Sequence, residues 1–199
     1  MRPGRGPGVR EGLSASREGL GHDEPVPDPL LPDGAVHVRR ARTADVRAIR
    51  ALTAPLVAQR VLVAKEEVAY YEGVPEFRVA EVDGALAGCG ALHVMWEDLA
   101  EVRTLGVDPA HRGRGVGSAV LRALLDDARE VGVQRVFCLT FEVAFFARHG
   151  FEVIEGAPVE PPVYAELLRS HDDGVAEFLD LARVKPNTLG NTRMLLDLR

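Results

Sequence analysis

Apolar residues recur along the chain with two different periods. At Val116, Val120, Leu121, Leu124, Leu125 and Ala128 they return every three or four positions, which puts them on one face of a helix. Four other runs, Phe77 to Val82, Ala85 to Val94, Val102 to Val107 and Arg135 to Thr140, are short and partly β-branched, and they predict strands. Asp83-Gly84 separates the first two runs. Both turn positions of a two-residue hairpin need φ above zero, so that dipeptide predicts an antiparallel pair. Asp108-Pro109 ends the third run at Val107, because proline has no N–H for a ladder and fixes φ for a turn.

The same patterning, taken along the rest of the chain, predicts a strand over Val36 to Arg40. It then predicts a helix N-capped by Thr43, with Val46, Ile49, Leu52 and Leu56 as its apolar face, which Pro55 kinks or ends. A second helix should open at Lys65-Glu66-Glu67, and Trp96 to Leu99 should connect two strands. Gly88 and Gly90 suit either a bulge or close packing beside a helix, and His93 reads as structural. Glu142 to His149 predicts a helix closed by Gly150 in the αL conformation, followed by a strand from Phe151 to Ile154. After them come a proline loop over Ala157 to Pro162, a helix over Val163 to Ser170, a strand-like or mixed stretch over Glu177 to Val184, and a last strand over Met194 to Leu198. Strands and helices thus mix in an α+β domain spanning 36–199. Residues Met1 to Gly34 are rich in Gly, Pro, Arg, Glu and Ser, too poor in apolar surface to offset ordering entropy, and are expected to be disordered.

Composition narrows the function classes. A chain of 199 residues with 46% apolar content supports one domain with a real core. Its net charge of -6 supplies no field for a polyanion, which argues against nucleic acid as a partner. Cys89 and Cys138 lack Cys-x-x-Cys spacing and lie in apolar runs, where free cysteine behaves as a small hydrophobe. No apolar run reaches the roughly 18 residues of a membrane span, and the N-terminus has no apolar signal-peptide core. A cytoplasmic protein without membrane partner or metal ligands is the expectation, and a homodimer is left open.

The candidate chemistry begins after Val107. Gly113, Gly115 and Gly117 stand at alternate positions at the mouth of the strongest helical pattern, where bare backbone N–H groups and the helix dipole suit a diphosphate. Arg112 and Arg114 add positive charge. A phosphate-loop NTPase would need Gly-Lys-Ser/Thr, and a dinucleotide unit would need an acidic residue about 20 positions later; both are missing. Arg112-Gly113-Arg114-Gly115-Val116-Gly117 instead fits Arg/Gln-x-x-Gly-x-Gly/Ala. With Phe145-Phe146-Ala147-Arg148-His149-Gly150-Phe151, the chain from about Val36 to Leu198 resembles the GNAT superfamily of acyl-CoA-dependent N-acyltransferases. The resemblance implies a mixed, mostly antiparallel central sheet flanked by helices and splayed at the acetyl-CoA cleft, where a β-bulge occurs. It implies acetyl-CoA as co-substrate, with pantetheine against the backbone of Leu105 and Val107 and the diphosphate at Arg112, Gly113, Arg114, Gly115 and Gly117.

Acyl transfer to nitrogen needs a neutral amine, a polarised thioester and a proton for the departing thiolate. Residues two apart share a strand face, so Glu101 and Arg103 project together. The resemblance makes Glu101 the base; the plainer alternative is an edge carboxylate neutralised by Arg103. Backbone N–H groups near Leu105 to Val107 would meet the oxyanion. Phe146 stands where the superfamily usually has a thiolate-protonating tyrosine, so the general acid is unassigned: water or Tyr164 serves, or none is needed. Phe145 and Phe146 then read as core or as a wall of the cleft. Cys89-Gly90-Ala91-Leu92-His93, Ala100-Glu101-Val102-Arg103-Thr104 and the closing Lys185-Pro186-Asn187-Thr188-Leu189-Gly190-Asn191-Thr192-Arg193 carry the likeness further, to the short stand-alone amino-acid N-acetyltransferases of actinobacterial type that act as N-acetylglutamate synthases in arginine biosynthesis. That likeness implies an L-glutamate or glutamine acceptor acetylated on its α-amine. Its carboxylate calls for cationic or amide partners, and Arg103, Lys185, Asn187, Asn191 and Arg193, with Arg60 and Lys65 from the acceptor region, are the candidates. Two other readings stay open: a GNAT enzyme acting on a protein N-terminus or another small amine, and a non-catalytic acetyl-CoA sensor.

Overall fold

Asp83 and Gly84 take φ of 51° and 76°, the left-handed pair that a tight hairpin demands. They join β2 (Phe77–Val82) to β3 (Ala85–Trp96) in the computed structural model, which describes residues 34–184 and 190–199. The expected disorder of residues 1–33 therefore lies outside the described residues. β3 runs on to Trp96, so Glu97-Asp98 alone turns it into β4 (Leu99–Val107). With β1 (Val36–Arg40), β5 (Arg135–Thr140), β6 (Glu152–Val153) and β7 (Thr192–Asp197), these make a seven-stranded sheet in the order β1-β2-β3-β4-β5-β7-β6. Every neighbouring pair is antiparallel except β4 with β5.

Two layers of helix cover the sheet. On one face α3 (Val116–Glu130) presses Val116, Val120 and Leu124 onto β3. A Cβ at Gly88 would meet Val116 Cγ1 at 2.6 Å, and one at Gly90 would meet Val120 and Leu124 at 3.0 Å, so these glycines let the helix approach. On the other face α1 (Val46–Ala58) and α2 (Glu67–Glu72) pack Val46, Ile49 and Tyr70 on Phe77, Val79, Cys89 and Ala91. Beyond them α5 (Pro161–Leu167) and α6 (Asp173–Phe178) bury Leu99 and Phe137. The short α4 (Val143–Ala147) ends, as expected, in Gly150 at φ 88°. Among the described residues no helix is long and apolar enough to cross a membrane.

Several expectations are corrected. Thr43 opens a three-residue 3-10 turn instead of capping a helix, and the Asp45 carboxylate closes it by accepting the Arg42 N–H at 2.7 Å. Pro55 neither ends nor bounds α1; the helix runs three residues past it because Leu52 and Leu56 rest on the bare backbone of Gly106. Pro161 and Pro162 lie in the first turn of α5, where a missing N–H costs nothing. The stretch after Asp172 is helical: Asp172 accepts the Val175 N–H at 3.0 Å, and Val175, Phe178 and Leu179 bury one face.

Two irregularities on β4 build a cleft. Ala91 pairs with Arg103 and Cys89 with Gly106, so Thr104 and Leu105 face Gly90 alone, a β-bulge with Thr104 at φ 56°. The inserted residue brings Thr104 to the same cleft as Arg103 and returns Leu105 to the α3 side. In addition, the parallel ladder between β4 and β5 lasts only three pairs, ending at Glu101 with Phe137. Past that point β4 pairs only with β3, and the sheet opens as expected.

Candidate active site

The opening continues into a cleft of about 1280 Å³ between α1, α2, β4 and α6. Glu101 stands where the β4 and β5 pairing ends and is only 3% exposed. Its Oε2 has no hydrogen-bond partner, and Arg103 Nη1 lies 3.9 Å away. A Cβ on Gly174 would collide with that oxygen, so α6 leaves room for the carboxylate only because residue 174 has no side chain. Burial pushes the Glu101 carboxyl above its ordinary range, against the pull of Arg103. The edge-carboxylate alternative does not describe this group.

Arg103 is held elsewhere. It donates to both oxygens of Asp172 at 3.1 and 2.8 Å and to Glu76 at 3.0 Å. His93 Nδ1 lies 2.7 Å from the other Glu76 oxygen, which keeps His93 in a structural place behind the cleft. Burial works to raise the Glu76 carboxyl, but His93 and Arg103 prevail and hold it below its usual range. Lys65 donates to Thr104 Oγ1 at 3.3 Å, and burial together with Arg103 lowers its ammonium. Arg60 lines the same cleft at φ 58°, as does Asn191.

The remaining acceptor candidates fall differently. Arg193 does not line the cleft. Its guanidinium donates to the carbonyls of Glu177 at 2.6 Å, Gly156 at 2.9 Å and Phe178, and lies over the Phe137 ring, tying β7 to the end of α6. That is a correction to its expected part in substrate binding. Lys185 and Asn187 lie outside the described residues. Glu177, which the sequence reading passed over, lines the cleft at 7% exposure with an unpartnered Oε1. Helical spacing from Asp172 was the signal that could have placed it.

The glycine loop has the form of an anion cradle. Gly113 and Gly115 take φ of 77° and 82°, and nothing lies within 4 Å of where either Cβ would be. Gly115 is the N-cap of the 15-residue α3, whose first-turn N–H groups have no intrahelical acceptor. Arg112 and Arg114 are exposed beside it. Gly117 sits against Val107 and Phe145, next to the open side of β4. Phe146 is buried between Phe145 and Phe151, with ring centroids 5.2 and 5.1 Å away, which makes it core. Tyr164 packs against the apolar cluster that holds Leu99 and Phe137 and does not line the cleft.

A splayed sheet, a bulged central strand and a glycine cradle at a helix N-terminus define an acyl-CoA-binding fold, and the family comparison agrees: the chain belongs to the Acetyltransferase (GNAT) family, whose pattern matches residues 49–151. GNAT acetyltransferases use acetyl-CoA. The chain is 57% identical over 162 residues to the amino-acid acetyltransferase of Mycobacterium tuberculosis, an alignment covering 80% of this chain and 92% of that one. A crystal structure of a protein from the same organism, in complex with CoA and NLQ, superposes with a TM-score of 0.79 at 57% identity over 82% of this chain and 99% of that chain. The N-acetylglutamate synthase of Neisseria gonorrhoeae, complexed with coenzyme A and N-acetyl-glutamate, superposes with a TM-score of 0.67 at 25% identity. There the match covers 84% of this chain but 36% of the synthase.

Proposed function

We propose that the chain transfers the acetyl group of acetyl-CoA to the α-amine of a free amino acid, L-glutamate or glutamine, as the entry step of arginine biosynthesis in the cytoplasm. The observation that carries the reading is Glu101: a buried carboxylate, one oxygen of which has no hydrogen-bond partner, at the point where the sheet opens. The likeness to the Mycobacterium tuberculosis amino-acid acetyltransferase and to the Neisseria synthase supports the acceptor. When bound, acetyl-CoA supplies a thioester carbonyl; Arg112, Gly113, Arg114, Gly115 and Gly117 would hold its diphosphate, and the β4 backbone at Leu105 and Val107 its pantetheine arm. The raised affinity of Glu101 for protons suits it to take the proton that the attacking nitrogen gives up. Lys65, Arg60 and Asn191 offer charge and hydrogen bonds to the acceptor's carboxylate, and Arg103, fixed by Asp172 and Glu76, adds positive field.

The test is product analysis. Purified protein incubated with acetyl-CoA and an equimolar amino-acid mixture should yield N-acetylglutamate or N-acetylglutamine by mass spectrometry. Acetylation of a peptide N-terminus with no amino-acid product would overturn the acceptor; no acetylated product with intact acetyl-CoA binding would favour a sensor.

A further inference from the structure

Glu177 is a buried carboxylate that the scheme above leaves idle. It projects from α6 into the cleft that Glu101 lines from β4, and each of the two groups has an oxygen with no hydrogen-bond partner. A buried polar atom without a partner costs stability. Two carboxylates with incomplete hydrogen bonding on the wall of one cleft point to a ligand group that completes it, and the ammonium of an amine substrate has three donors to give.

We propose that Glu177 is a second catalytic carboxylate, which receives the amine substrate as its ammonium ion and removes the first of its two protons. This rests on the assignment of the chain as an amine acetyltransferase. An amino acid arrives at neutral pH as R–NH3+, which has no lone pair for attack. Transfer of one proton to the Glu177 carboxylate gives R–NH2 and a neutral carboxylic acid. The nitrogen lone pair then forms the C–N bond to the thioester carbonyl carbon, and the second nitrogen proton goes to Glu101. The C–S bond breaks with its electron pair on sulfur, and the thiolate takes a proton from water. Both carboxylic acids return their protons to water through the open cleft, so the cycle releases one net proton.

The surroundings of Glu177 suit this division. Burial raises its carboxyl to about 7, and the Glu101 charge across the cleft adds to the rise. Asp173 and Asp172, on its own helix and cap, act in the same direction, while Lys65 opposes them from the far wall. On β7, Arg193 donates to the Glu177 main-chain carbonyl. A proton acceptor is most effective with its pKa near the working pH. With Phe146 in the core, no tyrosine lines the cleft among the described residues to share this work.

The test is Glu177→Gln, assayed on the amino acid that the wild type acetylates, with kcat/KM followed from pH 6 to 10. The variant should lose about 10²-fold at pH 7 and regain about tenfold per pH unit as free amine replaces ammonium in solution. Its acetyl-CoA affinity should match wild type, and Glu177→Asp should restore part of the activity at pH 7. A loss that is uniform across pH, or no loss, overturns the proposal. The infrared difference between wild type and Glu177→Gln needs no acceptor: a carboxylic acid band that disappears between pH 6 and 8 supports the role, and its absence overturns it. An outcome in which no amino acid is acetylated overturns the acceptor assignment, while the infrared titration still decides for or against Glu177.

Discussion

Glu101 and Gly174 act as one unit at the scale of single residues. The carboxylate keeps its place because position 174 carries no side chain, so Gly174→Ala should push Glu101 out of line without touching the glycine loop. A displacement of about 1 Å costs about 10²-fold in rate; steady-state kinetics should show that fall in kcat, with calorimetric acetyl-CoA affinity unchanged. Glu101→Gln keeps the shape and removes the base, and kcat should fall about 10²–10⁴-fold at every pH measured. Unaltered kcat in that variant would return deprotonation to water. Strand periodicity put Glu101 beside Arg103 and ahead of the glycine loop, and the resemblance to the GNAT superfamily is what made it the candidate base. Glu177 was passed over because Val175-Ala176-Glu177-Phe178-Leu179 has the apolar density of a strand. The Asp172 cap and the burial of Val175, Phe178 and Leu179 make that stretch helical. Arg193 was misread for a related reason: nothing local to a cation says that three carbonyls from distant segments will claim it.

At the scale of elements, the loop and helix from Arg112 to Glu130 can be separated from the acceptor side. Gly115 has a φ of 82° with empty space around a Cβ, so Gly115→Ala adds backbone strain of about 1–2 kcal/mol and little else. Gly115→Asp adds similar strain plus a negative charge where a diphosphate would lie. Calorimetry should therefore find acetyl-CoA binding weakened in the first variant and lost in the second, with the same circular dichroism spectrum for both. Equal binding by the two variants would remove the diphosphate from this loop. Elements with strong local signals were legible: the Asp83-Gly84 hairpin, the α3 periodicity and the Gly150 cap hold as expected. The bulge on β4 was expected through the resemblance to the GNAT superfamily, while Gly88 and Gly90 suited a bulge or close helix packing alike, since a bulge is a mismatch between two strands and neither strand alone records it. Pro55 carried a strong local signal that lost to tertiary packing, with Leu56 on Gly106 holding the helix past it.

For residues Asp33–Arg199 taken as one compact unit, charge sets stability and activity against each other. Glu177 binds a proton more tightly in the fold than in the unfolded chain, with its carboxyl raised from 4.5 to about 7. Its contribution is therefore full below pH 4.5 and is lost as pH rises through 7. Glu101 is shifted in the same direction. Asp172, Asp45 and Glu76 are shifted the other way. Burial works to raise Asp172, but Arg103 prevails, and Arg39 lowers Asp45; their stabilisation is present at neutral pH and fades on acidification below the ordinary carboxylate range. The two sets together place maximal stability above the ordinary carboxylate range and below pH 7, where Glu177 becomes ionised and able to take a proton. Glu177→Gln removes only the alkaline loss. The melting temperature of the variant should match wild type at pH 5 and exceed it at pH 8 by the equivalent of about 1–3 kcal/mol, several degrees for a domain of this size. An equal difference at both pH values would mean that the cleft carboxyl is already ionised at pH 5. The site would then no longer be the part of the fold that trades stability for proton transfer.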